Sequence, residues 1–426
     1  MTASDTHKTI DAVWRIEAPK VIAGLARMVR DVGIAEDLAQ DALVAALEQW
    51  PGSGVPRNPG AWLMAAAKHR AIDYFRRNTM LHRKHEQLVR ELERLERTPP
   101  DYDAAIDSEA ARDDMGDDLL RLIFTACHPI PSAEARVALT LRLLGGLTTD
   151  EIARAFLVAE PTIAQRIVRA KRALTKEQVP FEVPRGADRE ARLSSVLDVI
   201  YLVFNEGYSA TAGDEWMRPA LCDDALRLGR ILAELMPQEP EVHGLVALME
   251  IQASRSRARV TSAGEPILLI DQNRAQWDQL LIRRGLTALA RAEALGGARG
   301  RYALQASIAA CHARARTADE TDWERISHLY SELSAIAPSP VVDLNRAVAV
   351  AMALGPAAGL EIVDTLTSQP SMAGYQLLPA VRGDQLNKLD RPEEAHVEFE
   401  RAASLTRNAR ERILLLNRAA ACAGRA

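Results

Sequence analysis

The chain is poor in aromatic residues, cysteines and long apolar runs, and each shortage excludes a class of protein. Only 4% of its 426 residues are aromatic, while Ala, Leu and Arg abound, which favours helices over strands. The four cysteines lie far apart, which argues against a disulfide framework or a Cys-x-x-Cys zinc site. No apolar run approaches the roughly 20 residues that span a bilayer, and the N-terminus lacks a signal-peptide core. We therefore expect an all-α, cytoplasmic protein that makes no membrane contact.

Signatures of common enzymes are also missing. The sequence contains no Gly-x-Ser-x-Gly, no phosphate-binding glycine loop and no His-Glu-x-x-His. We expect no catalytic residue, no metal and no cofactor, and therefore a protein that is not an enzyme. The net charge of −5 means that any basic surface must be local.

Residues 147–176 predict a short helix, a tight turn and a longer basic helix. Thr148 and Glu151 form a capping box at the start of the first helix, and Pro161 suits the first turn of the second. One stripe of the second helix is apolar, and the opposite face is rich in Gln and Arg: Thr162, Gln165, Arg166, Arg169 and Arg172. This pattern is typical of a helix-turn-helix that reads the DNA major groove. The alternative is a pair of packed helices whose basic outer face does not bind DNA.

An acidic stripe marks the helix EDLAQDALVAALEQW. Leu43, Leu47 and Trp50 recur at helical spacing and are expected in the core. A separate stripe at steps of four, three and four contains Asp37, Asp41, Val44 and Glu48. Such a stripe suits docking onto a basic helical partner, although spacing alone favours a plain solvated face.

The helix NPGAWLMAAAKHRAIDYFRR mixes rings with cations. Cations follow phosphates and flat rings receive unstacked bases, as single-stranded DNA requires. The candidate residues are Trp62, Lys68, Arg70, Tyr74, Arg76 and Arg77. Some of the rings are equally compatible with a place in the core, and Asp73 is placed to orient neighbouring arginines.

The organisation along the chain is helical with one acidic interruption. We expect a first helical domain at 8–97, an acidic linker at 98–118 with eight acids against one arginine, and a second helical domain at 119–178. A helical extension follows at 190–300. In 301–426, Tyr330 and Phe399 occupy equivalent positions 69 residues apart, two periods of about 34, which is the tetratricopeptide period. Three helix pairs and a capping helix would form a solenoid; a plain helical bundle is the alternative.

The order of these motifs closely resembles an RNA polymerase sigma factor of the extracytoplasmic-function group, in the sigma-seventy family. The acidic helix resembles the segment that binds the clamp of the largest polymerase subunit. The segment that recognises and melts the −10 element resembles NPGAWLMAAAKHRAIDYFRR. The segment that recognises the −35 element resembles LTTDEIARAFLVAEPTIAQRIVRAKRAL. The resemblance covers about residues 8–178. Beyond it, VIYLVFNEGYSA resembles large members with a C-terminal tetratricopeptide-like extension.

The resemblance implies roles for the candidate residues. Asp37, Gln40, Asp41 and Val44 would contact polymerase, the basic face of residues 162–172 would contact −35 DNA, and residues 62–77 would contact −10 DNA. Core RNA polymerase, through its clamp and the flap of its second subunit, and promoter DNA would be the partners. The linker would mimic nucleic acid in the polymerase channel or act as a plain tether. The solenoid would regulate the sigma domains by a contact in cis.

A second hypothesis assigns the chain to another class. It would be a helical-repeat scaffold or ligand sensor, with a DNA-binding adaptor half and no sigma activity. Co-purification with polymerase subunits separates the two hypotheses.

Overall fold

The computed structural model describes residues 3–79, 109–156, 158–210, 212–262 and 264–424. Within these ranges the regular elements are helices apart from two short parallel strands, β1 (Ala212–Gly213) and β2 (Arg407–Asn408). The expectation of an all-α fold is confirmed. None of the helices in these ranges is both long and apolar enough to cross a membrane.

The chain divides into two compact units, residues 1–200 and 201–426, and the boundary falls within one helix, Gly186–Tyr208. The helices of the first half are α1 (Ala3–Val29), α2 (Val32–Ser53), α3 (Pro59–Thr79), α4 (Glu109–Ala126), α5 (Ala133–Leu143), α6 (Thr149–Phe156), α7 (Glu160–Lys176) and α8 (Gly186–Tyr208). Those that follow are α9 (Pro219–Leu235), α10 (Pro240–Ala253), α11 (Gln279–Ala294), α12 (Arg301–Arg314), α13 (Trp323–Ile336), α14 (Pro340–Leu354), α15 (Pro356–Leu366), α16 (Leu377–Lys388), α17 (Pro392–Leu405) and α18 (Ala409–Ala423).

Helices α1, α2 and α3 pack together as the first bundle, as the apolar spacing predicted. Trp50 is almost fully buried, whereas Leu43 and Leu47 are only half-buried, because small alanines of α2 take the most enclosed positions. Helix α2 continues through Pro51 to Ser53, where Ser53 Oγ donates to Gln49 O at 2.9 Å and left-handed Gly54 ends the helix.

Helix α4 starts inside the segment expected to be an acidic linker. Residues 109–118 are helical, so only the earlier part of 98–118 remains a candidate linker, and that part lies outside the described residues together with 80–97. Asp118 is buried and pairs with Arg27 of α1 at 3.3 Å and with Arg121 at 2.6 Å. The acidic run in the sequence therefore includes one buried carboxylate, Asp118, which fixes α4 to the first bundle.

The residues for which repeats were predicted from Tyr330 and Phe399 are helical. Six helices occupy residues 301–405 and α18 follows them, in agreement with three pairs and a last helix. Consecutive helices from α12 to α18 pack against one another. Gly383 faces the ring of Phe399, and a Cβ at this position would lie 3.1 Å from two ring carbons. The assignment to the tetratricopeptide class stays a prediction.

Candidate nucleic-acid and polymerase interfaces

The predicted helix-turn-helix is formed by α6 and α7. The Thr148 N–H donates to Glu151 Oε2 at 2.8 Å and the Glu151 N–H donates to Thr148 Oγ1 at 3.1 Å, so the capping box is reciprocal. Pro161 lies in the first turn of α7. The stripe that holds α7 in place is buried: Ile163, Ile167, Ala170 and Leu174. The sequence-based prediction of this motif is confirmed.

The outer face of α7 is open. Thr162, Gln165, Arg169 and Arg172 are exposed and Arg166 is half-buried. None of these three arginines forms an ion pair with a carboxylate of the described chain. Their charge is therefore available to phosphates or to base edges, which is the chemistry that groove binding needs.

The acidic stripe of α2 is also on the surface. Side chains of Asp37 and Asp41 are 77% and 57% exposed, and Val44 and Glu48 are exposed as well. Gln40 is half-buried and donates to Glu36 Oε1. An exposed apolar residue between carboxylates is what a basic helical partner would cover.

Helix α3 presents the mixed aromatic and basic set. Lys68, Arg70 and Arg76 are exposed, whereas Trp62 and Tyr74 are half-buried. The Trp62 ring packs edge-on against Trp50, with centroids 5.3 Å apart. Arg77 belongs to α3, but its side chain lies outside the described residues.

Two carboxylates orient cations on this surface. Arg70 Nη1 lies 3.8 Å from Asp41 Oδ2, and Arg76 Nη1 lies 3.7 Å from Asp73 Oδ1. The latter pair agrees with the expected orienting role of Asp73. The structure thus places Asp41 of the acidic stripe beside the basic helix.

A buried carboxylate joins the first bundle to the helix-turn-helix. Glu36 of α2 is 3% exposed, and its Oε1 accepts from Arg142 Nε of α5 at 2.6 Å. Its Oε2 lies 2.5 Å from Lys171 Nζ of α7. Lys171 also lies 3.6 Å from Asp37 Oδ1, at the edge of the acidic stripe. One carboxylate therefore holds two cations of the helix-turn-helix module.

Further contacts reinforce this junction. Asp31 caps the start of α2, and its Oδ2 accepts from Thr175 Oγ1 of α7 at 2.9 Å. Arg15 of α1 pairs with Glu151, the capping-box carboxylate. Both ends of the helix-turn-helix are thus tied to the first bundle.

Sequence reasoning missed Glu36, Arg142 and Lys171 as a group. Glu36 and Arg142 are 106 positions apart in the sequence, and nothing in the helical spacing distinguishes Glu36 from the exposed acids beside it. A glutamate that falls on the apolar side of α2 was the one available signal.

Among the described residues, no cluster of three or more His, Cys, Asp or Glu side chains is arranged to hold a metal ion.

Three family models match parts of the chain. Residues 14–80 match Sigma-70 region 2, residues 132–174 match Sigma-70 region 4, and residues 192–293 match a family of unknown function. Over 405 residues the chain is 42% identical to an uncharacterised protein of Rhizobium meliloti (strain 1021), covering 94% of this chain and 93% of that protein. Helix α4 precedes the region 4 match and packs on both α1 and α5.

Proposed function

Because this chain belongs to the sigma-70 family, with region 2 and region 4 in front of a long C-terminal extension, we propose that it binds core RNA polymerase and directs it to specific promoters. The family assigns it a DNA-binding role in transcription initiation. The observation that carries the finer proposal is the presence, in one chain, of three exposed surfaces: the acidic stripe of α2, the aromatic and basic set of α3, and the Arg-rich face of α7.

Each surface has one proposed partner. The stripe of Asp37, Gln40, Asp41 and Val44 docks on the polymerase clamp, where carboxylates meet basic helices. Helix α3 holds the unpaired −10 strand through cations and ring faces. Helix α7 enters the major groove at −35, since its unpaired arginines match guanine edges and phosphates. Region 4 also contacts the flap of the second polymerase subunit.

Promoter recognition requires the junction at Glu36 to open. Elements at −10 and −35 lie about 25 base pairs apart, which is roughly 85 Å at about 3.4 Å per base pair. Two modules joined by a 2.5 Å contact between Glu36 and Lys171 do not span that distance. The closed arrangement is therefore the free protein, and engagement of polymerase and DNA replaces its ion pairs with intermolecular ones.

The second unit is the regulatory part of this proposal. A long helical extension offers a surface for a ligand or for the sigma modules, and we propose that it regulates or stabilises the initiation complex. The competing function, a repeat scaffold or sensor with a DNA-binding adaptor, receives no specific support from the acidic stripe, because an adaptor has no need of a polymerase-docking surface.

Binding to core polymerase tests the proposal. Full-length protein labelled with a fluorophore is titrated with core enzyme, and anisotropy is recorded for wild type, for Asp37→Lys and for Asp11→Lys, a control that reverses an exposed carboxylate on α1. We expect wild type and the control to bind alike and Asp37→Lys to bind at least tenfold more weakly. A wild-type protein that binds DNA but no polymerase favours the adaptor.

A further inference from the structure

Two arginines of the second unit share the ring of Tyr208. Cζ of Arg259 lies 3.5 Å from the ring centroid, and Cζ of Arg255 lies 5.7 Å from it. All three residues fall within 192–293, the segment that matches a family of unknown function. Two guanidinium groups therefore meet at one aromatic ring, in a region with no assigned role.

This group of cations has no carboxylate partner. Arg259 is 7% exposed and Arg255 is half-buried, yet neither forms an ion pair with an acid of the described residues. A third cation, Arg274, lies with its Cζ 5.1 Å from Trp277. Removing a cation from water without a counter-charge is unfavourable. The charge of the site is therefore only partly compensated.

The electrostatics agree with this geometry. Burial lowers the pKa of Arg259 and that of Arg274, and the neighbouring positive charge of Arg255 lowers both further. Glu320 raises the pKa of Arg274 from a distance, and its Oε2 accepts from the Arg316 N–H at 2.9 Å. No comparable acid acts on Arg259, whose pKa is raised only by Tyr208 and Cys222.

The hydrogen-bond donors are also in excess. Arg259 Nη1 donates to the backbone oxygen of Tyr208, and Arg255 Nη2 donates to Tyr208 Oη and Gln252 Oε1. A guanidinium carries five N–H donors. Arg255 Nε is buried without an acceptor. Several donors of both groups thus have no acceptor in the described chain.

Part of this arrangement serves the fold. Tyr208 is the last residue of α8, so the bond from Arg259 satisfies a carbonyl at a helix end, where a cation is favourable. That role uses one donor of Arg259 and does not account for Arg255. The unused donors of the pair point to an oxyanion, because arginine forks match carboxylate and phosphate groups.

We propose that Arg255 and Arg259 together bind a small molecule through its phosphate or carboxylate group. Two tryptophans flank the pair: the ring of Trp277 lies 5.7 Å from Cζ of Arg255, and that of Trp216 lies 6.0 Å from Cζ of Arg259. The ligand supplies the missing negative charge and ties the end of α8 to the segment after α10. This gives the extension a means to respond to a metabolite.

The test uses full-length protein and two probes, inorganic phosphate and succinate, at an ionic strength held constant with sodium chloride. Thermal unfolding and calorimetric titration are recorded for wild type, Arg255→Gln and Arg283→Gln, an exposed arginine of α11. We expect a saturable rise in Tm with at least one probe, binding weakened at least tenfold in Arg255→Gln, and unchanged binding in Arg283→Gln. The probe that binds identifies the ligand as a phosphate or a carboxylate.

Two results would overturn the proposal. One is no saturable binding of either probe in the millimolar range, and the other is equal affinity in wild type and Arg255→Gln. If Arg255→Gln fails to fold, Arg255→Lys gives the same comparison, since it keeps the charge and loses the fork. The assay contains no polymerase or DNA, so its outcome is independent of the proposed sigma activity.

Discussion

The ammonium nitrogen of Lys171, on α7, lies 2.5 Å from a carboxylate oxygen of Glu36, on α2. The same carboxylate accepts from Arg142, so the two modules that the proposed function requires to separate on a promoter are joined through one buried side chain. This relationship makes the closed arrangement testable.

The first prediction concerns the contact itself. A carbodiimide joins amines to carboxylates in direct contact, so in the free protein it should link Lys171 to Glu36 or Asp37, as peptide mass spectrometry would detect. Lys176, at the end of α7, is exposed and has no such partner in the described residues, and it serves as the control lysine. Core polymerase and promoter DNA should abolish the Lys171 link; an undiminished link in the complex would rule out opening.

The second prediction concerns the strength of the junction. Glu36→Gln leaves Arg142 and Lys171 facing each other without their shared counter-charge, and breaking a buried pair in this way typically costs about 3 kcal/mol. Hydrogen exchange of the α7 amides should show that the free energy of local opening falls by about this amount. Glu48→Gln, exposed on the same helix, should change it by less than about 0.5 kcal/mol. Equal effects would show that Glu36 has no joining role.

A third prediction concerns DNA reading. Arg169→Ala should weaken promoter binding by polymerase, measured by competition with DNA altered one base pair at a time. A loss of about 1–3 kcal/mol confined to one base pair marks a base contact, and a uniform loss with a smaller salt dependence marks a phosphate contact. Lys176→Ala is the matched control. Unchanged binding of every sequence would remove Arg169 from the interface.

A fourth prediction tests the packing of α14 and α15. A Cβ added at Gly359 would lie 2.4 Å from Ala351 Cβ and 2.7 Å from Ala347 O, so Gly359→Ala should lower the unfolding free energy by about 1–3 kcal/mol. Gly374→Ala meets no atom within 4 Å and should have little effect. Urea unfolding measures the free energy of unfolding of both variants. Equal values for Gly359→Ala and Gly374→Ala would show that α14 and α15 do not approach so closely.

A fifth prediction is a pH dependence. Burial and then the charges of Arg255 and Arg274 lower the pKa of His312 to about 3, so this ring stays neutral in the folded protein down to low pH. The unfolded chain takes up a proton at its ordinary pKa of about 6.5, so the stability it contributes is complete above that pH and is lost as the pH falls toward 3.

The expected loss for His312 is up to about 2 kcal/mol between pH 7 and pH 5, from 1.4 kcal/mol per pH unit. Urea unfolding of wild type and His312→Gln over this range measures it. The variant should show a shallower dependence, whereas His328→Gln, on an exposed face of α13, should follow wild type. Identical slopes in all three would contradict the assignment.

Local features of this chain were readable from its sequence, while contacts distant in sequence were not. The Thr148–Glu151 box and the buried Ile163 to Leu174 stripe depend on spacing within one or two helices, and both are confirmed. Asp118 looked like part of a solvated acidic run, because a charge run does not reveal which member finds Arg27 across the fold. The pairing of Arg255 with Arg259 at Tyr208 had no sequence signal either, since the ring lies 47 or more residues upstream.

The most direct measurement is run-off transcription with core polymerase on a library of genomic fragments, with and without the purified full-length chain. We predict discrete start sites that depend on the chain, share sequences near −10 and −35, and are lost with Asp37→Lys but retained with Asp11→Lys. No transcript that depends on the chain, despite folded protein and active core enzyme, would contradict the account.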